Sequence, residues 1–135
     1  NIVEPIKGRL DCGLNLVAFG SLSDKYGVPW WKSYSDSKNR LREYMRQLGL
    51  NDSRIKSLFL NLSSIDTGNE RVTRPFADKT FWIKPEQVVA KSVDLIASMH
   101  FPYIEADIFN PDPEFKEGYY EDFEALKKKW LREMV

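Results

Sequence analysis

The chain has 135 residues, 42% of them hydrophobic, and a formal net charge of zero, which describes one globular domain or part of one. The balanced charge offers no field for nucleic acid or an anionic membrane, and no apolar stretch reaches membrane-spanning length, so neither partner is expected. Cys12 is the only cysteine and His100 the only histidine, which rules out an internal disulfide and a His/Cys metal set and suggests a reducing, cytoplasmic setting with no metal.

In chain order, the apolar run Leu14-Asn15-Leu16-Val17-Ala18-Phe19 ends in Gly20-Ser21 and reads as a buried strand of a parallel sheet. Gly27-Val28-Pro29 is a turn signal. After it Trp31, Tyr34, Ser35, Lys38, Leu41, Arg42, Met45 and Leu48 recur at near-helical spacing, so a helix is expected from Trp31 to Leu48. Arg54 to Leu62 reads as the next strand. Residues 68–84 are polar and aromatic without strong periodicity, as functional loops often are. Pro85-Glu86-Gln87 opens a helix whose apolar residues are Val88, Val89, Ser92, Val93, Leu95, Ile96 and Met99. Tyr103 to Phe109 alternates as a last strand. Asn110-Pro111-Asp112-Pro113 breaks the chain. Tyr119 to Val135 reads as an amphipathic helix with Phe123, Leu126, Trp130, Leu131 and Met134 on one side, expected to pack on the parent fold or a symmetry mate rather than dock a separate protein. Asn51-Asp52-Ser53 and Asn61-Leu62-Ser63 match the glycosylation pattern by chance, since Asn61 falls in a predicted strand.

A lone Tyr-x-x-x-Lys carries little information. Here Tyr34 and Lys38 lie one turn apart on one helical face, and a strand-end serine, Ser21, precedes them across a short loop. Reducing a carbonyl by hydride transfer leaves negative charge on oxygen, and a phenol can protonate it. Its ordinary pKa near 10 is high for that work, and a nearby ammonium lowers it. Lys38 is placed to supply that charge, and a serine hydroxyl can donate to the same oxygen.

The stretch Ser21, Gly27-Val28-Pro29, Tyr34 and Lys38 resembles the catalytic segment of the short-chain dehydrogenase/reductase family. That family keeps a strand-end Ser, a Gly-x-Pro turn and a Tyr-x-x-x-Lys at the start of the next helix. The resemblance covers about residues 14–110. It implies Ser21, Tyr34 and Lys38 as catalytic residues, with Tyr34, Lys38, Ile65 and Thr67 at the nicotinamide end of NAD or NADP. The Pro-Gly pair that family members often carry before that threonine is replaced by Leu62-Ser63. The family's glycine-rich nucleotide loop and its catalytic Asn are missing from these residues.

The expected fold class is therefore α/β, the C-terminal part of a doubly wound Rossmann-type parallel sheet, incomplete without a nucleotide-binding half from a separate chain or missing segment. Residues 1–110 would belong to that domain and residues 111–135 to a helical tail. The resemblance also implies a homodimer or tetramer paired through the Trp31–Leu48 helix. The expected activity is NAD(P)-dependent interconversion of a carbonyl and an alcohol. A degenerate binding or assembly module is the alternative, and within the enzyme class an extended-branch enzyme that modifies nucleotide sugars.

Overall fold

The computed structural model describes residues 13–114 and 122–134. Its elements are β1 (Leu14–Ser21), α1 (Leu22–Lys25), a 3-10 turn (Pro29–Trp31), α2 (Lys32–Asn51), β2 (Ile55–Leu62), α3 (Gly68–Thr73), α4 (Pro85–Ala97), β3 (Tyr103–Ile108) and α5 (Phe123–Met134). The three strands form one parallel sheet in the order β1-β2-β3. Register runs from Leu14 opposite Ile55 to Ser21 opposite Leu62, and from Ser57 opposite Tyr103 to Leu62 opposite Ile108. Parallel neighbours need long crossovers, and α2 supplies one while α3 and α4 lie within the other.

Strand β2 is central, and its side chains alternate between two faces. Leu58, Leu60 and Leu62 pack with Ile83 and Val88, joined by the half-buried Leu95, Ile96, Ile104 and Ala106. On the other face Ile55 meets Leu48, Leu14, Leu16 and Tyr44. There the Ser57 hydroxyl donates to the Met45 carbonyl at 2.7 Å, tying strand to helix. Each fully buried leucine or isoleucine contributes roughly 2 kcal/mol of apolar transfer energy, which makes β2 the spine of the core.

Helix α2 runs three residues beyond the expected Leu48. It passes close to the sheet at Gly49, where a Cβ would collide with the Pro102 carbonyl oxygen and stand 2.5 Å from Ser57 Oγ. Helix α4 starts at Pro85 as expected, and Gln87 Oε1 accepts from the Lys84 N–H at 2.9 Å. Its inward stripe is narrower than the apolar pattern suggests, because Val89 and Val93 are exposed. A thirteen-residue helix on one sheet face buries a single stripe, and the neighbouring valines fall outside it.

Helix α5 packs on this same chain. Leu126 and Trp130 join Leu22 and Val28 in a second core with Tyr26, Trp30, Trp31, Phe123 and Met134 around it. Trp130 stacks on Trp31 with centroids 4.3 Å apart and meets Trp30 edge-on at 5.9 Å. Leu131 was expected on the buried side but is exposed. The expected start of this helix, residues 119–121, and its last residue lie outside the described residues. Of the residues that suggest pairing through α2, Trp31 is stacked on Trp130, Met45 is buried and Tyr44 packs beside Leu48, all within the chain.

Candidate active site

Ser21 ends β1 and caps α1. Its backbone is extended (φ −139°, ψ 147°), its Oγ accepts from the Ser23 N–H at 3.2 Å and lies 2.8 Å from Ser23 Oγ. In return the Ser21 N–H donates to Asp24 Oδ1 at 2.6 Å, which completes a reciprocal capping box. The chain then turns through Gly27, whose φ of +67° is the left-handed region that glycine enters without strain. Pro29 opens the 3-10 turn, and Trp31 leads into α2.

This path places Tyr34 in the first turn of α2, close to Ser21. The phenol is 45% exposed and lies edge-on to Trp31, centroids 6.5 Å apart. Burial pushes its pKa above the ordinary value; the nearby Ser21 hydroxyl works against that, and the charges of Asp24 and Glu70 add to the rise. The lowering by an ammonium expected from the sequence does not prevail here. Lys38 lies over the Tyr34 ring with its Nζ 5.6 Å from the centroid, and the same Nζ donates to the Phe19 carbonyl at 2.9 Å. It therefore braces the end of β1 as well as facing the phenol.

The segment after β2 takes its own path in place of a Pro-Gly turn. The Ser63 N–H donates to the Ile108 carbonyl at 3.1 Å, and Ile65 bridges Ile83 in parallel. Two further bonds, Ile83 N–H to the Ser64 carbonyl (2.9 Å) and Asp66 N–H to the Ile83 carbonyl (2.8 Å), hold it. Thr67 caps α3, its Oγ1 accepting from the Glu70 N–H at 3.3 Å.

Ser21, Tyr34, Lys38, Ile65 and Thr67 all line one open cleft of about 930 Å³ at the carboxyl ends of the strands. The far wall comes from Arg74, Phe76, Trp82 and α5, through Leu126, Trp130 and Glu133. Arg74 fastens that wall. It bonds Glu133 Oε2 through Nε (2.9 Å) and Nη2 (2.6 Å), and its Nη1 reaches Ser64 Oγ (2.6 Å) and Glu70 Oε1 (2.7 Å). Both side chains of the Arg74–Glu133 pair are 8% exposed.

Sequence reasoning missed Asp24, Arg74 and Glu133, and saw Arg42 only as a helical repeat. The Ser21-x-x-Asp24 spacing is a legible capping signal. No local signal joins Arg74 to Glu133, 59 residues away. Among the described residues no three His, Cys, Asp or Glu side chains gather as a metal ion requires, and no helix is long and apolar enough to cross a membrane. Compared with models of known protein families and with curated proteins, the chain matches none.

Proposed function

We propose that the chain is the carboxyl half of a short-chain dehydrogenase/reductase, an NAD(P)-dependent oxidoreductase that interconverts a carbonyl and an alcohol. The observation that carries this reading is the cleft: five residues from three separate segments meet at the carboxyl ends of parallel strands, where open α/β sheets bind their ligands. The three-stranded parallel sheet agrees with part of a doubly wound, Rossmann-type fold. In this reading Tyr34 protonates the nascent alkoxide in reduction and takes the proton back in oxidation. Ser21 donates to the same oxygen and orients it. Lys38 holds the ribose nearest the reacting ring, and Ile65 and Thr67 face the carboxamide end. NAD or NADP, when bound, supplies the hydride.

The residues present fit the nicotinamide end of such a cofactor. Lys38 and Thr67 offer polar groups on one wall of the cleft, and Phe19, 43% exposed, offers an apolar face. The phosphates need a glycine-rich turn at a helix start, which these residues do not include. The reading therefore requires a nucleotide-binding half as partner, and it places homodimer or tetramer formation in the completed enzyme.

A second reading, a binding module that no longer catalyses, is favoured by one observation: the phenol is held above its ordinary pKa while Lys38 is engaged with the Phe19 carbonyl. One experiment separates the two. Hydride transfer is measured across a panel of carbonyl substrates in the full-length protein that carries this chain, with Tyr34→Phe in parallel. Turnover should fall about a hundredfold or more, as for loss of a positioned general acid, while nucleotide binding persists. Near-normal turnover in Tyr34→Phe would sink the assignment of Tyr34, and a parent that binds nucleotide but turns over no carbonyl in the panel would leave the binding module.

A further inference from the structure

Resting on the oxidoreductase reading, we propose that Arg42 is a positioning residue for the reaction: through Asp24 it holds Ser21 at the cleft and keeps the Asp24 carboxylate compensated beside the Ser21–Tyr34 pair. Arg42 lies on α2, two turns beyond Tyr34, and its side chain is only 18% exposed. Its Nη2 bonds Asp24 Oδ2 at 2.5 Å and Asn61 Oδ1 at 2.9 Å. Its Nε bonds Glu105 Oε1 at 2.9 Å, its Nη1 bonds Asn39, and its guanidinium lies 4.8 Å over the Phe59 ring. Each of its nitrogens is engaged within the fold, and Arg42 is not among the residues that line the cleft.

The network behind it is continuous. Asn61 Nδ2 donates to Glu105 Oε1 (2.8 Å) and Asp107 Oδ1 (2.9 Å), and Lys25 pairs with Asp107. Asp24, with no exposed side-chain surface, closes the chain of contacts by accepting the Ser21 N–H at 2.6 Å. Buried ion pairs stabilise little more than well-packed apolar residues would, so stability alone is a weak reason for this one. Its end point supplies a better reason. The carboxylate that Arg42 grips is the group that sets the backbone of Ser21, and Ser21 in turn meets Tyr34.

A structural prop and a positioning residue differ in what they do to the phenol. The groups facing Tyr34 are Ser21 from β1, Asp24 from α1, Glu70 from α3 and Lys38 from its own helix. Asp24 and Glu70 both make the phenolate harder to form, and Arg42 pairs directly with the Asp24 carboxylate at 2.5 Å. Removing the guanidinium leaves that charge uncompensated, so Tyr34 ionises at higher pH.

The test uses the full-length protein in the oxidation direction, where the phenolate is the base. Arg42→Gln should lower kcat at neutral pH about tenfold with KM within about twofold, and move the rise of kcat/KM by roughly one pH unit to the alkaline side. The double variant Arg42→Gln/Asp24→Asn replaces the ion pair with two amides that can still bridge and leaves an acceptor for the Ser21 N–H. It should recover turnover to within about threefold of the parent and return the profile toward the parental pH. A folded Arg42→Gln with an unshifted profile overturns the proposal, however far turnover drops. So does a double variant that recovers less. If Arg42→Gln does not fold, the double variant decides by the same criterion, and failure of both to fold makes Arg42 a stability element only. A parent whose turnover survives Tyr34→Phe sinks the oxidoreductase reading itself. A parent that needs Tyr34 but keeps its profile in Arg42→Gln sinks this inference alone.

Discussion

At the scale of residues, the phenol of Tyr34 is pulled two ways. Burial and the carboxylates of Asp24 and Glu70 favour the neutral form, while the nearby Ser21 hydroxyl favours the phenolate. Lys38→Met should remove the ammonium over the ring and its grip on the Phe19 carbonyl together. In the completed enzyme it should lower turnover and also weaken nicotinamide-cofactor binding severalfold, read by ligand titration beside steady-state kinetics; unchanged cofactor affinity would argue against its proposed double role. Tyr103 is a second phenol held above its ordinary pKa, by burial first and then by the charge of Glu105, to which its hydroxyl donates at 3.1 Å. For both tyrosines the folded state favours the protonated form. Their contribution to stability is fully present below the unfolded pKa near 10 and is lost as pH rises through the higher folded values. The melting temperature should therefore fall above about pH 10, and Tyr103→Phe should flatten that fall. An identical alkaline slope in the variant would remove Tyr103 from the account.

At the scale of elements, type and order were legible from the sequence and the exact buried stripes were not. Apolar runs, alternation and near-helical spacing place β1, α2, β2, α4 and β3 correctly, because burial on one or both faces leaves a local pattern. The alternation cannot say how much of a face a neighbour covers. Val89 and Val93 continue the apolar pattern of α4 yet remain exposed, and Leu131 does the same on α5. Close approach is a further property that spacing does not reveal. The expected helix ends at Leu48 and leaves Gly49 outside it, but Gly49 is helical and is where α2 meets the Pro102 carbonyl. Gly49→Ala improves helix propensity on an isolated-helix scale and should still destabilise the protein, by about 1–3 kcal/mol of overpacking, because the obstacle is backbone. Chemical denaturation would measure it, and a stabilised variant would show that α2 can move away from the loop before β3. Gly20 is similar: a Cβ there would strike the Phe59 ring, on which Arg42 rests.

At the scale of the whole molecule, the cleft depends on contacts between distant parts of the chain. Arg74 joins α5 to the segment after β2, and Trp130 joins α5 to Trp31 beside Tyr34. Glu133→Ala removes two charge-assisted bonds and leaves Arg74 with Glu70 and Ser64, so it should cost about 2 kcal/mol. The same change should loosen α5 and expose Trp130, read as a red shift of tryptophan emission together with a lower melting temperature. Unchanged emission with an unchanged melting temperature would show that the stacked tryptophans hold α5 without the ion pair. Strand β1 is an edge of the sheet among the described residues, and Phe19 near its end is substantially exposed. An edge strand with an apolar face is a surface that natural proteins cover, which is the physical reason to test the proposed nucleotide-binding half against it.

The sequence by itself determined the alternation of strands and helices and the turn at Gly27-Val28-Pro29, and it supplied the residues proposed for proton transfer. These are local properties: periodicity, backbone allowance and side-chain chemistry act within a few residues. Only the tertiary structure decided that Ile65 and Thr67 share a cleft with Ser21, Tyr34 and Lys38, that α5 forms its far wall, and that burial raises the phenol's pKa. The same holds for Arg42, read from sequence as a helical repeat, and Asp24, which sequence reasoning missed; the crossover from β1 into α2 brings them to one ion pair. Burial and electrostatics depend on distances through space, and the parallel sheet sets those distances by joining residues far apart in the chain.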